Sequence, residues 1–565
     1  MRLVSKHFLS LLLISVLLQA SVYAQTAASP AGTEDEFKGW HLKSKETDGY
    51  YGINLDKAYS FLQGKKSNTV IVAVIDGGID TLHEDLRNIL WRNPREIGGN
   101  GKDDDGNGYA DDVFGWNFLG GKDGRSVKED SYEAARVYFG LKPQFSELVD
   151  PSKLNEAQSK DYKIFLAAKA DIEKASEEAQ SQILFLRNLY SRSIESDSIL
   201  RIHFKASYTG NELAGFKPGD KKISDAKAAM FTLFRAFEAM ENNNQNIITE
   251  FTDYYRGQEK KAQMSTTPPL PYRQEIVQDN YNDFNDRFYG NGDVMANNPT
   301  HGTHVSGIIA GIHNDVGMRG VANNVRIMTL RAVPDGDEHD KDIALAIRYA
   351  VDNGAKVINM SFGKSFSPQK HWVDEAVEYA AKKGVLLVHA AGNEAQNSDS
   401  ITKFPNPHLV HLGKKASNFI TVGASGDPKT GGLAADFSNY GKTEVDVFAP
   451  GVKIYSTIPG GNTYGFSQGT SMASPVVAGV AALILQYYPE LSPEEVKQCI
   501  EKSAAPINEA TVVPGTEREI PFNGLSRAGG IVDALEAVLA ADKLSKSKSN
   551  AAPVNQKSPK RNNAP

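Results

Sequence analysis

The chain has 565 residues, 40% of them hydrophobic and 23% charged. That is length enough for roughly two to four domains, and the balance excludes a wholly disordered or collagen-like chain. Lys+Arg 62 against Asp+Glu 69 leaves a net charge of −7, which argues against a nucleic-acid partner. The single cysteine, Cys499, excludes an internal disulfide framework and a cysteine-rich metal site.

Residues 1–24 read as a secretory signal peptide. Arg2 and Lys6 form a positive start, Phe8 to Leu18 is a short apolar run, and Val22-Tyr23-Ala24 precedes a cleavage point before Gln25. The expectation is an exported chain without a transmembrane anchor once mature, lying in the periplasm, on the cell surface or outside the cell. Such a chain without disulfides must find its stability elsewhere, and bound metal is one source.

Residues 37–126 mix short apolar runs with Gly and Asp. Val70 to Ile75 is a continuous apolar run, the pattern of a buried parallel strand. Asp76 follows at its carboxyl end, where open α/β sheets place their sites. Gly77-Gly78 does not complete a dinucleotide fingerprint, and taken alone Asp76 is a capping residue as often as a catalytic one. Further on, Asp103, Asp105, Asn107, Tyr109 and Asp111 stand at positions one, three, five, seven and nine of a calcium-loop spacing, with Gly108 at the turn and Tyr109 offering its backbone carbonyl. The terminal glutamate is missing, and Asp112 is the candidate substitute; a solvated acidic turn is the competing reading.

Residues 127–275 change texture to a helical insertion. Phe165, Ala168, Ile172, Ala175, Ala179, Ile183, Leu186, Tyr190 and Ile194 recur at steps of three and four. Lys217-Pro218-Gly219-Asp220 reads as a break, followed by a second helix through Met230 and Phe234 and a third, short one through Ile247, Phe251 and Tyr254.

From 276 to 541 strand-like and helix-like runs alternate, which argues for an α/β parallel sheet with crossover helices. His301-Gly302-Thr303-His304 opens a run of small and apolar residues, and two histidines three apart without an intervening glutamate are a poor zinc motif. Val388-His389-Ala390-Ala391-Gly392-Asn393-Glu394 ends a strand in a glycine and an amide side chain. Gly469-Thr470-Ser471-Met472-Ala473-Ser474-Pro475 opens a helix with Pro475 read as a first-turn proline. A serine there is usually a cap, but its position over free helical N–H groups also suits a developing oxyanion. Residues 542–565 are rich in Lys, Ser, Asn and Pro and read as a disordered basic tail.

Together, and in this order, these four motifs resemble the subtilisin-like serine proteases. The resemblance implies a subtilisin-like parallel sheet with helices on both faces, interrupted by an all-α insertion. It implies Asp76 as the residue that orients His301, His301 as general base, Ser471 as nucleophile and Asn393 as an oxyanion donor, with His304 structural. An extended protein or peptide substrate would pair with Ser361, Phe362 and Gly363 on one side and Gly336 on the other, with Gly392 beside the pocket. Lys364 and Lys403 are candidates to approach the pocket for the residue before the scissile bond and to favour acidic side chains there, although a solvated lysine is the commoner reading. Calcium is the implied structural ion, with Asp85, Asn314 and the carbonyls of Ile312, Val316 and Met318 as a second set of ligands. The stretch between Asp76 and His301 is longer than simpler members have, and residues 25–48 are short for the folding prosegment many members carry. The competing functional reading is a catalytically silent, calcium-stabilised peptide-binding protein.

Overall fold

The computed structural model describes residues 34–145, 150–237, 240, 242–314 and 316–551; the signal-peptide reading and the last part of the tail reading fall outside them. The chain divides into two compact units. One is Met1–Lys38 with Asp130–Leu270, and the other is Gly39–Glu129 with Pro271–Pro565.

The first unit is helical. Its longest helices are α1 (Glu133–Phe145), α2 (Glu156–His203), α3 (Lys221–Ala236) and α4 (Asn244–Gln263). Asn155 and Gln158 start α2 with a reciprocal capping box, and the helix then runs 48 residues without a break. Its buried seam is Phe165, Ile172, Ala179, Leu186, Ser193 and Leu200, at intervals of seven, against which α1, α3 and α4 pack. That is the 3.5-residue period of helices packed side by side. The seam passes through Ser193 and leaves Ile194 37% exposed, which corrects the expected face at that end. Asp220 ends the predicted break by accepting the Ile223 N–H and capping α3.

The second unit is built on a seven-stranded sheet. Its strands are β1 (Val70–Asp76), β2 (Gly115–Asn117), β3 (Val325–Arg331), β4 (Val357–Met360), β5 (Leu386–Ala390), β6 (Phe419–Ser425) and β7 (Val447–Pro450). The order is β2-β3-β1-β4-β5-β6-β7, and every neighbouring pair is parallel. Parallel strands need crossovers, and these put helices over the sheet. Ala73 and Ile75 join the core formed with α6 (Asp340–Asp352) and α7 (Lys370–Lys382). Val72 and Val74 point the other way; α5 (Thr300–Ala310) and α8 (Thr470–Tyr487) also pack on β1 and on each other. The register sets Ile75 beside Met360 and Met360 beside His389. The carboxyl ends of β1, β4 and β5 therefore stand level.

Among the described residues one helix, α8, is long and apolar enough to cross a membrane, and 89% of it is buried within the protein. Pro475 lies inside α8 and not in its first turn. Having no N–H, it leaves the Ser471 carbonyl without its helical donor; the Ser361 hydroxyl supplies one at 3.1 Å. At the other end of the chain, helix α9 (Ala534–Ala551) continues ten residues into the stretch predicted to be disordered. Lys548 pairs with Glu495 at 2.8 Å and Asp542 with Lys65 at 2.5 Å, so the charges that read as a solvated tail anchor a helix.

Candidate active site

Asp76, His301 and Ser471 each stand at the start or finish of a buried element, and Asp76 lies at one of those level strand ends. Asp76 is the last residue of β1 and is 3% exposed. His301 is in the first turn of α5, and Gly302 beside it lets the helix close on β1: a Cβ there would lie 2.2 Å from the Gly78 carbonyl. His301 Nδ1 donates to both Asp76 oxygens, at 2.8 and 2.9 Å, while Asp76 Oδ1 also accepts the Gly77 N–H at 2.7 Å. With the proton fixed on Nδ1, the neutral ring offers its lone pair at Nε2. The ring is 45% exposed, so only partial desolvation works against its charged form, and the Asp76 charge and hydrogen bond outweigh it and raise the His301 pKa above its ordinary value. His304, buried in the same helix, differs: burial lowers its pKa to about 4, and Nε2 donates to the carbonyls of Ile454 and Gly465 at 3.1 and 3.2 Å.

Ser471 is the second residue of α8, so its N–H has no intrahelical acceptor. Gly469 precedes the helix at φ 146°, a conformation that glycine adopts without strain. The Ser471 hydroxyl donates to the Ser361 carbonyl at 3.1 Å, and so must leave that carbonyl before a base can take its proton. Ser361 itself is held by Asn359 at 2.9 Å and Ser474 at 2.8 Å.

Asn393 is oriented by a residue that sequence reasoning passed over. Its Oδ1 accepts both the Thr470 N–H and the Thr470 hydroxyl at 2.9 Å, and that hydroxyl in turn accepts the Gly392 N–H at 3.1 Å. With Oδ1 committed, Nδ2 is the free end of the amide. Asn439 braces the same loop, donating to the Ala391 carbonyl at 2.8 Å and to Glu394 at 2.7 Å while accepting the Glu394 and Gln396 N–H groups at 3.2 and 2.8 Å. Adjacency to Ser471 was the only sequence signal for Thr470; Asn439 had none.

A cavity of about 110 Å³ opens beside Ser471, with Ser361, Phe362 and Gly363 on one wall and Gly392 and Asn393 on another. Gly336 does not line it. The adjoining Asp335 N–H is already paired with the Lys128 carbonyl at 2.9 Å. Lys403 reaches the cavity, but Lys364 does not. Lys364 is buried, with its ammonium 2.8 Å from Asp340 and 2.9 Å from the Glu338 carbonyl.

The acidic loop converges differently from its sequence spacing. Carboxylate oxygens of Glu96, Asp103 and Asp105 lie within 4.8 Å of one another. Glu96 comes from outside the counted loop. Asp111 turns away to accept the N–H groups of Gly99 (2.7 Å), Asn100 (3.2 Å) and Gly101 (2.8 Å). Asp112 is spent on Tyr349 (2.5 Å), Asn93 (2.7 Å) and Asn107 (2.8 Å), and its burial raises its pKa. Asn107 Oδ1 is taken by the Tyr109 N–H at 2.7 Å, and the Tyr109 ring is buried among aromatic neighbours. Three converging carboxylates are hard oxygen donors of the kind calcium takes, but they too accept hydrogen bonds. Glu96 accepts from the Asp104 and Asp111 N–H groups (2.9 and 3.1 Å), Asp103 from those of Gly106 and Gly108 (both 2.7 Å) and Asp105 from that of Asn107 (3.0 Å), and Arg95 stands 3.0 Å from Asp105. In the second set, Asn314 donates to Asp85 at 2.7 Å and Tyr464 does so at 2.8 Å, while burial raises the Asp85 pKa.

Comparison with known proteins adds relatives to this geometry. The sequence profile described as the Subtilase family matches residues 67–534. A "Thermophilic serine proteinase" from Bacillus sp. (strain AK1) is 44% identical over 210 residues, covering 37% of this chain and 47% of the relative. "Subtilisin DY" from Bacillus licheniformis is 38% identical over 211 residues, covering 37% of this chain and 72% of that one. The chain thus spans about half the length of the first relative and nearly three quarters of the second. A solved protease from Pseudoalteromonas arctica PAMC 21717 is 31% identical, with a TM-score of 0.35, covering 45% of this chain and 79% of that one.

Proposed function

The chain belongs to the subtilase family of serine peptidases, and from that premise we propose that it is an exported endopeptidase that hydrolyses peptide bonds in proteins. The observation that carries this reading is the pair of hydrogen bonds that His301 Nδ1 donates to Asp76, at 2.8 and 2.9 Å, which leave Nε2 as the base. In this mechanism Nε2 takes the Ser471 proton as Oγ attacks the substrate carbonyl. Asn393 Nδ2 and the Ser471 N–H receive the negative charge that develops on the carbonyl oxygen. Collapse forms the acyl-enzyme, and His301 Nε2–H passes its proton to the departing amine. Water then attacks the ester with the same imidazole as base, restoring Ser471. Asp76 holds the ring in place throughout and stabilises the imidazolium.

A fluorophosphonate should label Ser471, identified by peptide mass spectrometry. Only neutral His301 can act as base, so the labelling rate should rise with pH through the raised His301 pKa, with a midpoint above the ordinary 6.5. Asp76→Asn removes the charge that raises the His301 pKa and should move that midpoint down. A serine that stays unlabelled, or a rate indifferent to pH between 5 and 9, would overturn the mechanism.

Calcium would be held by Glu96, Asp103 and Asp105 and would supply a charge that ties residues 96–105 together; it takes no part in the reaction. An ion that binds only the folded chain stabilises it by about 2.7 kcal/mol at a hundredfold excess over Kd. The melting temperature should therefore fall when calcium is exchanged for a chelator, and Glu96→Gln should shrink that difference. An unfolding curve unmoved between chelator and millimolar calcium would leave the loop as a hydrogen-bonded turn.

A further inference from the structure

The cavity beside Ser471 carries a chemical signature of its own. Since it adjoins both Ser471 and Asn393, its occupant during hydrolysis is the side chain that precedes the scissile bond, an assignment that rests on the catalytic reading above. Three of the residues that line it can ionise: His389, Glu394 and Lys403. His389 adds no charge, because burial lowers its pKa to about 4 and its Nε2–H is spent on the Phe362 carbonyl at 2.8 Å. Glu394 is 48% exposed, and one of its oxygens is drawn aside by Asn439 at 2.7 Å. Lys403 is the deeper of the two charges, 21% exposed. Its ammonium has three donors. One reaches Ser365 Oγ at 3.2 Å, and Glu394 faces it only at 3.7 Å, beyond hydrogen-bonding distance. A donor therefore remains for a ligand, and Phe362, Ala390 and Ala391 give apolar contact to the methylenes leading to it.

We infer that Lys403 makes this pocket selective for a glutamate side chain before the cleaved bond. The substrate carboxylate takes the ammonium from its long contact with Glu394 and forms a charge-assisted hydrogen bond. Glu394, at the more exposed end, is screened by solvent and salt and opposes this only weakly.

The test uses the full-length protein and four chromogenic peptides that differ only in having Glu, Gln, Leu or Lys before the scissile bond. The expected kcat/KM for Glu exceeds that for Gln by about tenfold or more, the scale of one charge-assisted hydrogen bond. Lys403→Met should bring that ratio toward one, Lys403→Arg should keep it, Lys403→Glu should turn preference toward the Lys peptide, and Glu394→Gln should raise the ratio. Each ratio is measured on one preparation, so the fraction folded cancels. A wild-type ratio at or below one, or a ratio unmoved in Lys403→Met, overturns the inference while fluorophosphonate labelling of Ser471 leaves the catalytic reading standing. Absence of both labelling and hydrolysis would overturn the two together.

Discussion

Replacing Ser471 by alanine should lower kcat for peptide hydrolysis by a factor on the order of a million. The size follows from the way nucleophile and base act as a unit: without Oγ, His301 has no proton to take, and Asp76 stabilises an imidazolium that never forms. The fold should survive the change. The hydroxyl makes one hydrogen bond, to the Ser361 carbonyl at 3.1 Å. The bond that satisfies the carbonyl freed by Pro475 runs from Ser361 Oγ to the Ser471 backbone, and alanine keeps it. The measurement is kcat alongside the melting curve. Activity comparable to wild type in a folded Ser471→Ala protein would sink the serine mechanism.

Asn393→Ala should cost roughly a hundred- to a thousandfold in kcat with little change in KM, because the amide matters once charge develops on the substrate oxygen. Alanine also removes the acceptor for the Thr470 N–H and hydroxyl, a loss of about 1 kcal/mol in stability for each bond of this kind. Asn393→Asp separates the two effects. It keeps an oxygen for Thr470 but puts an anionic oxygen where Nδ2 stood, so folding should hold while kcat falls at least as far as in the alanine variant. Thr470→Val, which keeps the N–H but loses the hydroxyl bond, should lower kcat less, since it loosens the amide without removing it. A loss confined to KM in Asn393→Ala would remove Asn393 from the oxyanion role.

Local pattern was enough for the sheet, whereas the catalytic candidates rested on the resemblance of four motifs in order. Val70 to Ile75 has no alternation because both faces of β1 are covered, and an unbroken apolar run is what a strand buried on both sides requires. Position at the end of a buried run made Asp76, His301 and Ser471 conspicuous, but the same positions suit helix caps, and only the resemblance of the four motifs in order picked them out as a triad. Helix α2 was legible too, although its seven-residue seam was read one residue off at Ile194.

Calcium-loop spacing assigns ligands by counting, but Asp111 and Asp112 spend their oxygens on the nearest backbone and side-chain donors, and Glu96 fills the space from outside the count. Lys403 and Lys364 are indistinguishable as letters. The antiparallel bridge between Lys364 and Phe404 lays their two segments side by side. Asp340 and the Glu338 carbonyl then draw one lysine into the interior, and the other is left to line the pocket. Thr470 and Asn439 act through partners 77 and 45 residues away, at Asn393 and Glu394. The sequence by itself determined which segments are buried and which reactive side chains stand at their ends, because burial periodicity is a local property. Which of those side chains share a partner was decided only by tertiary structure, because strand register and loop closure set distances that no local spacing encodes.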